Sequence, residues 1–129
     1  MTHPEIAALY DAYGRAFDEG RPDDYVETFT PDGRFTLPDG NVVEGRDGLH
    51  RLASRAASSS ARSHHFVRNL QVEVSGETAT GTAHAIAVAV AGDAVELLVA
   101  GVYRDTLVRT PDGWRFATRT VTPLGPEQL

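Results

Sequence analysis

Apolar side chains return at helical spacing near the start of the chain. Ile6, Leu9, Tyr10, Tyr13 and Phe17 fall on one face of a helix predicted over residues 2–19. Thr2 and Glu5 have capping-box spacing, in which each side chain can satisfy an amide at the helix start. Gly20-Arg21-Pro22 is a stop signal, because glycine accepts the left-handed cap and proline cannot extend the ladder. A second, short helix is predicted from about Pro22 to Phe29, with Asp23 and Asp24 near its positive end. Pro31-Asp32-Gly33 reads as a turn into a strand from Arg34 to Leu37, and Pro38-Asp39-Gly40-Asn41 turns that strand back into Val42-Val43-Glu44. After Gly45, Asp47 can cap a third helix whose buried stripe is Leu49, Leu52, Ala53 and Ala56.

From His64 onward the period changes to two. Strands are predicted over His64–Val74, Thr78–Val90, Val95–Arg109 and Trp114–Thr122, separated by Ser75-Gly76-Glu77, Gly92-Asp93 and Thr110-Pro111-Asp112-Gly113. Consecutive hairpins imply an antiparallel meander, and helices first with strands last imply an α+β domain, here a single one over residues 1–129. In the Thr78 strand, Ala79, Gly81, Ala83, Ala85, Ala87, Ala89 and Ala91 share one face. Such a face admits close packing, its commoner use, or leaves a hollow. In the strand before it, alternation puts His64, Phe66, Leu70, Val72 and Val74 on one side and His65, Val67, Asn69, Gln71 and Glu73 on the other. By pattern alone the inward histidine is His64.

Composition changes the picture mainly by exclusion. The 129 residues are 41% hydrophobic and 23% charged, an ordinary globular balance, with a formal charge of −6. A net acidic chain without a basic patch argues against nucleic acid as a partner. The absence of cysteine removes disulfides, thiolate nucleophiles and cysteine-bearing zinc sites. The start, Met1-Thr2-His3-Pro4-Glu5, lacks signal-peptide character, and the apolar run Ala83–Ala91 is too short to span a bilayer. A cytoplasmic protein without a membrane partner is expected.

Three stretches carry a family resemblance: Tyr13-Gly14-Arg15-Ala16-Phe17-Asp18-Glu19-Gly20, Ser63-His64-His65-Phe66-Val67-Arg68-Asn69, and Gly101-Val102-Tyr103-Arg104-Asp105 followed by Asp112-Gly113-Trp114-Arg115. With the order of elements, they resemble the SnoaL-like branch of the nuclear-transport-factor-2-like (NTF2-like) superfamily. The pattern is most similar to its scytalone dehydratase, hexachlorocyclohexane dehydrochlorinase and bile-acid dehydratase members. The resemblance implies a curved, mostly antiparallel sheet wrapped with helices into a cone around an apolar pocket. It implies a catalytic pair of Asp18, near the end of the first helix, and His65, at the start of the strand after the third helix. Tyr13, five residues before Asp18, is implied as a third catalytic group, with Arg119 and His84 as substrate-binding residues. No cofactor is implied, and a homo-oligomer, a dimer in the first place, is.

The chemistry is sensible for these residue types. Histidine ionises near neutrality and can remove a proton beside a carbonyl. A carboxylate on the other ring nitrogen fixes the tautomer and stabilises the imidazolium. The implied reaction is a dehydratase-like β-elimination, with isomerisation or a polyketide-type cyclisation open to the same base. A binding or assembly module with an inert pocket is the non-enzymatic alternative, because fold does not dictate function. An epoxide hydrolase would need paired aspartates around an arginine. His64 and His65 are adjacent and point to opposite strand faces, which argues against a shared metal ion. Arg104-Asp105 reads as a surface pair.

Overall fold

The computed structural model describes residues 3–125. Helix α1 spans Pro4–Asp18, α2 Pro22–Val26 and α3 Gly45–Ala57. Strands are β1 Phe29–Thr36, β2 Val42–Glu44, β3 Arg62–Ser75, β4 Thr78–Ala91, β5 Ala94–Thr110 and β6 Gly113–Pro123. They form one six-stranded sheet in the order β2-β1-β6-β5-β4-β3. Every neighbouring pair is antiparallel except β1 with β6. The α+β class and the meander from β3 to β6 are as expected.

Several boundaries differ for local reasons. The N-cap of α1 is His3, with no side-chain cap bond, and Pro4 opens the helix; Thr2, the expected cap, lies outside the described residues. Helix α2 ends at Val26, and Thr28 and Phe29 are already held by the sheet, where the Phe116 amide donates to the Thr28 carbonyl. The expected turn Pro31-Asp32-Gly33 is absorbed into β1, and its pairing with β6 is irregular between Phe29 and Arg34. Glu44, not Asp47, stands at the N-cap of α3; Asp47 sits in the first helical turn instead.

The end of α1 matters most for the site. Gly20 adopts φ 68°, the Gly20 amide donates to the Phe17 carbonyl, and the Arg21 amide donates to the Ala16 carbonyl. This paired closure stops the helix with Asp18 as its last residue. The small-residue face of β4 is used for close packing. Ala79, Gly81, Ala83, Ala85 and Ala87 are buried, and the Tyr10 hydroxyl lies where a β-carbon on Gly81 would stand. The core between helices and sheet is aromatic: Tyr10, Tyr13, Tyr25, Phe29, Phe35, Tyr103 and Phe116 form one cluster, many of them meeting edge to face.

Candidate active site

Asn69 decides which histidine turns inward. It adopts φ 60°, and the pairing of β3 with β4 slips between Arg68 and Gln71. Asparagine tolerates this left-handed conformation better than most residues. The extra residue shifts the phase of the strand. His65 and Val67 pair with Ala87 and Ala85, while Val72 and Val74 pair with Gly81 and Ala79, so all four lie on the side of the small-residue face of β4. His64, Phe66 and Arg68 pair with Val88, Ile86 and His84 on the outer side. Simple alternation chose His64; the bulge reverses that choice and places His65 toward α1.

There His65 meets Asp18. The His65 Nδ1–H donates to Asp18 Oδ1 at 2.6 Å, and the His65 backbone N–H donates to Oδ2 at 2.7 Å. The Ser63 hydroxyl donates to Oδ1 at 2.8 Å. Both side chains of the pair are largely buried, His65 12% and Asp18 17% exposed. Burial works to raise the Asp18 carboxyl, but the hydrogen bonds and charge of His65 and the Ser63 hydroxyl outweigh it and hold it below its ordinary 3.8. A carboxylate at Nδ1 leaves Nε2 as the unprotonated ring nitrogen, the form a general base needs. The Phe17 ring lies against the imidazole at 5.2 Å between centroids.

The pair borders a cleft of about 630 Å³ between α1 and β3. It runs along the margin of β3, lined by Ala7, Tyr10 and Gly14 from the helix and by residues from both faces of the strand, His64 and Phe66 as well as Val67 and Leu70. Arg15 is held by Asp11 through a 2.6 Å ion pair. The volume lies in the range of small-molecule sites.

A model of the SnoaL-like domain matches residues 2–120. The chain belongs to the SnoaL-like family. An uncharacterized protein of Mycobacterium tuberculosis is 35% identical over 121 residues, covering 92% of this chain and 82% of the relative. A solved M. tuberculosis protein of unknown function superposes with TM-score 0.88 at 29% identity, over 94% of this chain and 75% of the other. At the level of fold alone, a Streptomyces avermitilis protein put forward as a dehydratase of the NTF2-like family superposes with TM-score 0.83 at 20% identity, over 95% of both chains.

The other residues expected at a SnoaL-like site do not join the pair. Tyr13 is 3% exposed, accepts a 3.2 Å hydrogen bond from the Tyr25 hydroxyl, and does not border the cleft. Burial, reinforced by Tyr25, pushes its hydroxyl far above the ordinary 10.0. Tyr13 thus stands as a phenol of the aromatic core, apart from the residues that border the cleft. Arg119 is fully buried in the aromatic cluster, its guanidinium 3.8 Å from the Tyr103 ring and 4.2 Å from the Tyr13 ring. Arg119 donates to both oxygens of Asp105, from Nε at 2.8 Å and Nη2 at 2.9 Å, and the Tyr10 hydroxyl also donates to Asp105. Burial disfavours the Arg119 charge, but Asp105 more than compensates and the guanidinium stays protonated. Arg119 holds the interior together instead of lining the cleft.

His84 also stands apart from the pair. It lies on the outer side of β4, in a separate groove of about 440 Å³ with Gln71, Thr82 and Arg104, and accepts at Nδ1 from the Asn69 amide at 3.3 Å. The sheet separates it from the pair. Two residues were missed. Asp105 is buried and faces opposite to the exposed Arg104, so the two are no surface pair; the alternation Tyr103-Asp105-Leu107 in β5 carried that signal. For Ser63 the signal is its place two positions before His65, hence on the same strand face.

Proposed function

We propose that the chain is a cofactor-independent general-base enzyme on a small, largely apolar carbonyl compound, working as a dehydratase-like lyase. The observation that supports this most is the 2.6 Å bond from His65 Nδ1 to Asp18 at the wall of the cleft. In this reading Nε2 removes the proton α to the substrate carbonyl. The electron pair of that C–H bond becomes the new double bond as the β-hydroxyl leaves. The imidazolium returns the same proton to the departing oxygen, so one water is lost and the base is regenerated. Asp18 holds the tautomer and balances the imidazolium charge. The Tyr13 hydroxyl has no part in this scheme. If no leaving group stands at the β-carbon, the same carbanion is reprotonated elsewhere or closes a ring, which gives the isomerase and cyclase variants of the reaction.

The test is a panel of β-hydroxy ketones and β-hydroxy thioesters, with 5-nitrobenzisoxazole as a general carbon-acid probe. His65→Ala is expected to lower turnover by at least about a hundredfold, the usual contribution of a positioned base. Asp18→Asn is expected to lower it by tenfold or more, and EDTA is expected to leave it unchanged. Near-wild-type turnover in both variants would eliminate the mechanism. The aromatic filling of the interior by Tyr13, Tyr103, Phe116 and Arg119 favours a second reading, a ligand-binding or assembly module on the same fold. Saturable ligand binding at the cleft that is indifferent to His65→Ala, without turnover, would support it.

A further inference from the structure

We propose that Ser63 is a positioning residue for the Asp18–His65 pair, an inference that rests on the general-base reading above. Asp18 closes α1, where a negative charge faces the unfavourable end of the helix dipole. Its carboxylate is held there by three donors, all from one strand segment: the Ser63 hydroxyl, the His65 amide and the His65 ring. The His65 amide takes Oδ2, while Ser63 and the ring share Oδ1. Two contacts with His65 alone would leave the carboxylate free to rock about the axis joining them. The third donor removes that freedom and fixes the line along which Oδ1 meets Nδ1–H. Ser63 can do this because it precedes His65 by two residues, which puts both side chains on one face of β3, ahead of the bulge that disturbs the phase. Its pairing partner, Ala89, has no polar side chain to compete for the hydroxyl.

Ser63 therefore acts on the base through the acid, without touching substrate. The expected signature lies in the free protein. In proton NMR spectra of the full chain, the Nδ1 proton between His65 and Asp18 should appear as a far-downfield resonance, absent in Asp18→Asn. In Ser63→Ala this resonance should move upfield and exchange with water at least tenfold faster. Nitrogen spectra of the imidazole should show a fraction of the other tautomer. Ser63→Thr, which keeps the hydroxyl, should restore the wild-type signal, and Ser63→Cys, a weak donor of similar size, should fall between. With 5-nitrobenzisoxazole, kcat should fall about tenfold in Ser63→Ala with KM unchanged, and Ser63→Thr should recover it. A resonance and tautomer in Ser63→Ala that match wild type would overturn the proposal, as would equal loss in Ser63→Thr and Ser63→Ala. Should Ser63→Ala fail to fold, the Thr and Cys variants decide alone: equal signals in both overturn it. The magnetic readout needs no substrate, so it separates this inference from the enzymatic one. A resonance that depends on Ser63, in a protein whose turnover ignores His65→Ala, leaves the positioning intact and removes only the lyase reading.

Discussion

At the scale of single residues, the site rests on one carboxylate whose ionisation folding changes. Asp18 titrates lower in the folded chain than its ordinary 3.8, so the folded state favours its charged form. A depressed carboxylate contributes stability that is complete above the unfolded value and is lost as pH falls through the folded one. Urea unfolding of wild type against Asp18→Asn should therefore show a wild-type advantage that fades as pH falls through the carboxylate range. An advantage that does not change with pH would mean that the carboxylate is not held as described. Tyr13 gives the opposite case. Tyr13→Phe should leave turnover within about twofold and cost about 1–3 kcal/mol of stability, because it leaves the buried Tyr25 hydroxyl without its acceptor. A loss of turnover by tenfold or more in that variant would return Tyr13 to the reaction.

At the scale of elements, strands β5 and β6 are tied by the buried pair of Asp105 and Arg119. Asp105→Ala strands a guanidinium in an aromatic interior and should cost about 3–5 kcal/mol, while Asp105→Leu with Arg119→Met should recover most of that; both are read by urea denaturation. The bulge of β3 offers a second test. Asn69→Gly should be tolerated, whereas Asn69→Val, which resists positive φ, should lose about 1–2 kcal/mol by the same measurement. These two elements also mark what could be read in advance. Glycine turns and period-two alternation located the four strands of the meander to within two residues, because hairpin chemistry is local. The Asp18–His65 contact was legible only through family resemblance, since an acid ending a helix and a histidine 47 residues later meet by tertiary packing alone. The choice between His64 and His65 was hidden in Asn69, where one extra residue reverses every side chain that follows. For Tyr13, helical spacing indicates the buried face but not the side of the core on which its hydroxyl ends.

At the scale of the whole molecule, the outer side of the sheet is uneven. Arg68, His84, Arg104 and a row of threonines occupy one end, while Phe66 (61% exposed), Ile86, Val95 and Leu97 (61% exposed) leave the other end apolar. Exposed apolar groups gathered in this way mark association surfaces. The expected homodimer would have a place there. Sedimentation should give a particle heavier than the 13.9 kDa chain, and Phe66→Asp with Leu97→Asp should return it to that mass. A wild-type chain that sediments at 13.9 kDa would remove the dimer. No helix among the described residues is long and apolar enough to cross a membrane. The position of β3 at the sheet margin has one more consequence. The imidazole belongs to the sheet and its carboxylate to α1, which also gives the cleft Ala7, Asp11, Gly14 and the buried Tyr10. The proposed pair therefore holds only while helix and strand margin keep their spacing. Gly14 sits at that seam: a methyl added there would stand 3.7 Å from the His65 Cβ, in ordinary van der Waals contact, so Gly14→Ala bears on the imidazole as well as on the shape of the cleft.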